Sequence, residues 1–344
     1  MIRNAEMGHP ESMFQLGEAY CHGLGGIRRD QGQAVSWWRR AAEVGLPKAM
    51  NNLALALAHG LGVAANIKEA MFWWGLAAEA GLSEAMVNIG SSFYRGNGVT
   101  EDKPRAFYWW LKAAGQGYVD AMVLVGNAYA RGQGIGEDWE QAVVWWLGAA
   151  EKGQPEAMFC LGTAYFKGLG VGEDRALGIH WWQKSAERGW AMAWLFLGNA
   201  FCQPGAGADI RKSVKCWSRA ALRGVPEALD NLRNPVFGYE LADELENWRR
   251  LAAGGDTEAQ MFLGQALFNG LGTPEDKAGA TEWWHKAAGR GNSQAMLRLG
   301  IAFQEGQGVE RDLRQAFGWL VQAIRFGAGP EALERLKGMG GGQA

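Results

Sequence analysis

Cysteine is scarce in this chain: four residues in 344, with no CxxC pair and no zinc-ligand spacing. That excludes a disulfide-stapled scaffold and a zinc finger. Cys21, Cys160, Cys202 and Cys216 do not recur at a fixed interval, so reduced thiols are expected, with a Cys202–Cys216 bridge left open. No run approaches the roughly 20 apolar residues needed to cross a bilayer, and no membrane insertion is expected. Neither sign of charge prevails: the formal net charge is −2, without the basic footprint of a nucleic-acid binder. The opening residues 1–6 lack the apolar stretch of a signal peptide. No HExxH, no nucleophile elbow and no periodic carboxylate pair occurs. The five histidines, His9, His22, His59, His180 and His285, include only one pair in equivalent places, His22 and His59, and no third ligand in register. A non-enzyme is expected, with no cofactor and no metal.

Tryptophan and glycine, by contrast, are abundant, at 18 and 51 residues, and they are ordered. An aromatic pair, two small residues and a glycine return nine times. The pairs are Trp37-Trp38, Trp73-Trp74, Trp109-Trp110, Trp145-Trp146, Trp181-Trp182, Cys216-Trp217, Asn247-Trp248, Trp283-Trp284 and Trp319-Leu320. The first five are spaced by 36 residues; the later steps are 35, 31, 36 and 36. A period of this size means one supersecondary unit stacked many times.

Within one unit, Pro47 opens a helix where its missing N–H costs nothing. Ala49, Leu53 and Leu57 follow at helical spacing, and Gly60-Leu61-Gly62 ends the helix. Asn66 then caps a second helix whose inner face is Ala70, Trp74, Ala77 and Ala78, and Gly81 stops it. The cap position is filled by Asp30, Asn66, Asp102, Asp138, Asp174, Asp209, Asp276 and Asp312, each eight residues before the second member of its pair. The pattern predicts an all-α fold: a right-handed superhelical α-solenoid of about nine antiparallel helix pairs, one body over 1–337. Residues 225–255 are short by about five positions and lose the glycine loop, which predicts a truncated first helix there, with a division into six-repeat and two-repeat blocks. Residues 330–337 read as a capping helix and 338–344 as a disordered Gly-rich tail.

Ala157-Met158, Leu161-Gly162, Tyr165, Gly168-Leu169-Gly170-Val171, Asp174, Trp181-Trp182, Ala186 and Gly189 together resemble the SEL-one-like repeat (SLR), a relative of tetratricopeptide repeats. The resemblance covers about residues 5–337. It implies adaptors and scaffolds whose partners differ. The cysteine-rich branch of that family is not matched, because Ala42, Ala78, Ala114 and Ala150 stand where its first cysteine would be.

The glycine loops read as helix-ending turns and not phosphate cradles, since none follows a strand or runs into Lys-Ser or Lys-Thr. Most tryptophans sit at core register; Trp139, Trp190 and Trp194 fall outside it. By analogy with tetratricopeptide grooves, binding is expected on the first-helix face, on positions three, seven and ten counted from the small residue (Ala49) as one. Position three is Phe14, Asn51, Val87, Val123, Phe159, Leu195, Met261 and Leu297. Position seven is Glu18, Leu55, Ser91, Asn127, Thr163, Asn199, Gln265 and Ile301. Position ten is Cys21, Ala58, Tyr94, Ala130, Phe166, Cys202, Phe268 and Gln304. An apolar ribbon beside hydrogen-bonding side chains suits a peptide or an extended loop. The candidate partner-binding residues are Tyr94, Asn127, Phe159, Thr163, Phe166 and Asn199, with Arg95, Arg131 and Lys167 as a basic rim. The bland alternatives are that superhelical curvature buries position three and that the rim only complements three helix dipoles.

The expected function is a non-enzymatic scaffold or adaptor holding a protein or peptide on its concave surface, without nucleic acid, as a monomer. The alternative is an inhibitor or immunity-type protein that occludes a bacterial toxin or enzyme. The expected compartment is the cytoplasm as the chain stands. The chain opens inside the stencil, which leaves room for a preceding export signal and then for the periplasm or secretion.

Overall fold

The computed structural model describes residues 2–203 and 209–340, and among them it is wholly helical. Two compact units are present, one ending at Ser185 and one beginning at Ala186. The division falls inside a helix, not at the short repeat.

The first unit contains α1 (Ile2–Glu6), α2 (Pro10–His22), α3 (Gln31–Glu43), α4 (Pro47–His59), α5 (Ile67–Glu79), α6 (Ser83–Arg95), α7 (Lys103–Gly115), α8 (Val119–Arg131), α9 (Trp139–Glu151), α10 (Pro155–Lys167) and most of α11 (Arg175–Glu187). From α1 to α10 each helix packs on the next in chain order. Helices of 13 residues, about 20 Å long, alternate with short turns and so run antiparallel.

All eight predicted caps form. Asp30, Asn66, Asp102, Asp138, Asp174, Asp209, Asp276 and Asp312 each accept a backbone N–H from the first turn of the helix they start. Their own N–H groups reach back to carbonyls near the end of the preceding helix, for example Asp138 to Tyr129 at 2.9 Å. Each cap thereby fixes both the start of one helix and the path of the loop before it. The loop glycines have a second constraint. Gly134 and Gly308 hold positive φ, at 81° and 76°, and a Cβ on either would collide with the carbonyl of Lys103 or Lys277. The loop thus rests on the start of the preceding repeat's second helix.

The aromatic pair divides its labour. The second member is buried at every repeat: Trp38, Trp74, Trp110, Trp146, Trp182, Trp217, Trp248, Trp284 and Leu320. The first member of the tryptophan pairs lies half-buried on the outside, where Arg40, Lys112, Lys184 and Lys286 cover Trp37, Trp109, Trp181 and Trp283 at 4.3, 5.3, 4.8 and 3.9 Å. The recurrent Leu-Gly of the first helix follows from the inner indole. At Gly126 a Cβ would sit 2.5 Å from Trp146 Nε1. The indole edge lies against bare backbone, and a helix-interior glycine that ordinarily costs about 1 kcal/mol is required by the packing.

The second unit contains α12 (Ala191–Cys202), α13 (Ile210–Leu222), α14 (Pro226–Leu232), a 3₁₀ turn (Pro235–Phe237), α15 (Gly238–Ala253), α16 (Thr257–Asn269), α17 (Lys277–Ala288), α18 (Ser293–Glu305), α19 (Leu313–Arg325) and α20 (Pro330–Gly340). The short repeat does have a truncated first helix, the seven residues of α14, and a long second helix of 16. Beyond the truncated helix Phe237 is buried, its ring 5.1 Å from that of Trp217. The final helix runs to Gly340, past the predicted end at 337; residues 341–344 of the expected tail lie outside the described residues. Cys202 and Cys216 are both free thiols, so the bridge left open by the sequence is not formed.

Candidate interaction surface

First helices of successive repeats touch side by side through polar groups. Asn52 of α4 donates to Glu18 of α2 at 2.7 Å, and Asn88 of α6 donates to Asn51 of α4 at 2.9 Å. Asn127 of α8 donates to Glu156 of α10 at 3.2 Å. These bonds set the first helices of the N-terminal unit in a row. Glu18 lies on the face expected from the sequence, at position seven; Asn52 and Asn88 were missed, and the signal was amides inside otherwise apolar helices.

The predicted residues of this unit lie on that row. Tyr94 and Arg95 end α6, Arg131 ends α8, and Phe166 and Lys167 end α10, each helix closing on a left-handed glycine. Arg95, Arg131 and Lys167 are exposed, and none makes an ion pair with a described residue. Asn199 sits on α12 in the second unit, exposed.

Several of these side chains have an internal task. Asn127 Oδ1 accepts the Trp146 indole N–H at 3.2 Å. Thr163 Oγ1 accepts from Trp182 at 3.4 Å, alongside the Phe159 carbonyl at 3.2 Å. Asn199 Oδ1 accepts from Trp217 at 2.9 Å and from Asn231 at 3.0 Å. Position seven is therefore first an acceptor for the buried indole. Position ten roofs the same ring: Tyr94 lies 5.4 Å from Trp110, Phe166 4.8 Å from Trp182 and Phe268 5.3 Å from Trp284.

In the other full-length repeats the indole N–H finds no partner, although Glu18, Ser91 and Gln265 stand at position seven in three of them. Trp38, Trp74, Trp110 and Trp284 are left with unpartnered buried N–H groups. Opposite Trp74 stands Leu55, which cannot accept, while Glu18 beside Trp38 is engaged by Asn52 and, at 3.7 Å, by His22. Trp38, Trp74 and Trp284 each line a cavity. One of about 200 Å³ lies between α2 and α4, lined by Glu18, Cys21, His22, Trp38, Asn52 and Leu55 among others. One of about 80 Å³ lies between α4 and α6, lined by Leu55, Ala58, Trp74, Asn88, Ser91 and Arg95 among others. A third, of about 200 Å³, lies in the second unit against Gln265, Trp284 and Arg298.

Position three is mixed in the first unit, where Asn51 and Val123 are buried, and uniform in the second. Phe14, Val87 and Phe159 are half-buried, whereas Leu195, Met261 and Leu297 are buried. The apolar ribbon is thus accessible mainly in the first unit. A second uncovered strip lies on the opposite side of that unit: Phe72, Tyr108 and Val144, each one residue before its pair, are 58%, 58% and 61% exposed.

The thiols are placed for packing. Burial pushes Cys160 up to about 12 and Cys216 up to about 11. Among the described residues no cluster of three His, Cys, Asp or Glu could hold a metal, and no helix is long and apolar enough to cross a membrane.

The Sel1 repeat family model matches residues 10–46, 47–82, 83–118, 119–154, 155–190, 191–225, 257–292 and 293–325, leaving the short repeat unmatched. A Sel1 repeat protein from Oxalobacter formigenes is 30% identical, with 62% of this chain and 85% of that one covered and a TM-score of 0.56. A protective antigen of uropathogenic Escherichia coli strains, described as displaying an SLR fold, is 29% identical over 97% of this chain and 80% of its own, with a TM-score of 0.43. An immunity protein from Pseudomonas aeruginosa is 21% identical over 62% and 81%, with a TM-score of 0.40. No curated protein matches the chain.

Proposed function

Because this chain belongs to the Sel1 repeat family, whose members generally mediate protein–protein interaction, we propose that it is a non-enzymatic scaffold that holds a peptide or protein on the first-helix face of its N-terminal unit. One observation carries the reading. That face combines half-buried apolar side chains, open cavities floored by tryptophan, and three exposed cations without ion pairs. Apolar anchors with a polar, charged rim are the composition of a protein-binding patch. Three of the five position-three residues of the first unit are half-buried, whereas Leu195, Met261 and Leu297 of the second are all buried, which supports assigning recognition to the first unit. The recurrence of Asp caps, glycine turns and indole packing accounts for the remaining residues structurally.

The test is capture of the native partner by the tagged full chain, followed by cross-linking to map the contact. Reversing Arg95, Arg131 and Lys167 to Glu should abolish capture while the helical circular dichroism is unchanged. Retained capture, or cross-links confined to the Phe72–Tyr108–Val144 strip, would remove the first-helix face from consideration.

A further inference from the structure

The cations of the rim are set by the repeat. Arg95, Arg131 and Lys167 occupy one position, the last residue of α6, α8 and α10, and succeed one another every 36 residues. Acidic residues do occur in the loops that follow, but they are engaged locally. Glu101 pairs with Lys103 at 3.3 Å, Glu137 accepts from the Trp139 indole at 2.9 Å, and Glu173 pairs with Arg175 at 2.8 Å. None of the three cations has an ion pair of its own with a described residue, and each is exposed. The equivalent residues of the second unit are Gln203, Asn269 and Glu305, so the ladder belongs to the first unit alone.

Spacing selects the ligand. Helices packed side by side stand about 8–10 Å apart. A polyproline II peptide advances about 3.1 Å per residue with three residues per turn, roughly 9 Å per turn. Residues at every third position then share one face, one per repeat of the protein. Beside the ladder, the cavity between α4 and α6 has Leu55 and Ala58 as apolar walls, the Trp74 ring as its floor and Arg95 on its lip. Trp74 is 4% exposed and its indole N–H has no acceptor, so the cavity also lacks a hydrogen-bond partner for a buried donor.

We propose that the first-helix face of the N-terminal unit binds an extended acidic peptide with a carboxylate at every third residue, one each on Arg95, Arg131 and Lys167. An intervening small apolar side chain enters the α4–α6 cavity, with its neighbouring carbonyl turned toward the Trp74 indole. The proposal rests on the scaffold reading above and adds the chemistry of what is held.

The test uses the full chain and fluorescently labelled synthetic peptides followed by anisotropy. The probe is a twelve-residue repeat of Glu-Pro-Leu, and the comparison peptide has the same composition with its glutamates at irregular spacing. The periodic peptide should bind at least about tenfold tighter, and its affinity should fall as salt is raised. Reversal of the three rim cations to Glu should reduce binding at least about tenfold, whereas Lys68→Glu, an exposed cation on α5, should leave it unchanged. Equal binding of the irregular peptide would overturn the spacing argument. Equal binding of a twelve-nucleotide poly-thymidine strand would overturn the choice of peptide over nucleic acid. Absence of binding up to about 1 mM would overturn the acidic-peptide assignment. In that last case the capture experiment separates the two claims. Loss of the native partner on cation reversal keeps the scaffold reading, and its survival removes that reading as well.

Discussion

The buried tryptophans of the full-length repeats fall into two groups, divided by whether the indole N–H is accepted. In α8, α10 and α12 the indole N–H is accepted by Asn127, Thr163 or Asn199. Beside α2, α4, α6 and α16 it is not, and Trp38, Trp74, Trp110 and Trp284 keep an unpaired donor at equal burial. Burying an indole removes about 150–250 Å² from water, worth roughly 4–6 kcal/mol at 25 cal/mol per Å². An unsatisfied buried donor costs about 1–3 kcal/mol. The apolar term wins in both groups, which is why the repeat keeps one shape whatever stands at position seven. What changes is freedom: where the indole goes without an acceptor, position seven can be as apolar as Leu55, and the space beside Leu55 and Trp74 opens as a cavity.

The comparison is broken most severely by removing the ring. Trp182→Ala and Trp74→Ala should each destabilise by about 3–5 kcal/mol in urea unfolding. Trp182→Ala should be the costlier, since it also strips a donor from Thr163 and from the Phe159 carbonyl. Equal losses would mean that indole hydrogen bonding has no energetic weight here. A finer cut exchanges the position-seven residues. Asn127→Leu should cost about 1–3 kcal/mol by unpairing Trp146 and freeing Glu156, while Leu55→Asn should stabilise by up to about 1 kcal/mol by supplying Trp74 with an acceptor. The two substitutions should thus shift the urea midpoint in opposite directions; shifts of the same sign would contradict the two-group division.

Much of the fold could be read in advance because its determinants are local. A side-chain oxygen eight residues before the second member of the pair caps a helix whatever lies around it, and all eight predicted caps do so. The short repeat was visible from the loss of its glycine loop. The division at Ser185–Ala186 was not, because it falls within a helix whose pattern continues unbroken. The face assignment was legible only halfway. Helical spacing put Asn127 and Thr163 on a first-helix face turned away from the second helices, yet the glycine preceding each one brings an indole N–H of the second helix within reach. That contact joins residues 19 positions apart in sequence on two helices, and depends on a missing Cβ. Position three shows the same limit: identical spacing yields half-buried Phe159 in one unit and buried Met261 in the other.

The smallest expected effect concerns a single thiol in the satisfied group. Cys160 Sγ lies 3.8 Å from Asn127 Oδ1, the atom that also receives the Trp146 N–H. Burial, reinforced by the negative charge of Glu156 and opposed by Arg131, raises its pKa to about 12. The thiolate is the reactive form, and an exposed cysteine titrates near 8.5. At pH 8 native Cys160 should therefore alkylate roughly three orders of magnitude more slowly than an exposed thiol. Iodoacetamide labelling, read by peptide mass mapping so that Cys160 is distinguished from Cys21, Cys202 and Cys216, measures this directly. If reaction proceeds through the native thiolate, the rate should rise about tenfold per pH unit through pH 10. A rate that levels off instead reports opening of α10, and Asn127→Leu should then accelerate it. Labelling of the wild-type protein at the speed of a free thiol would mean that the hydrogen-bonded row joining Asn127, Trp146 and Cys160 does not persist in solution, and the distinction between the two groups of tryptophans would lose its structural basis.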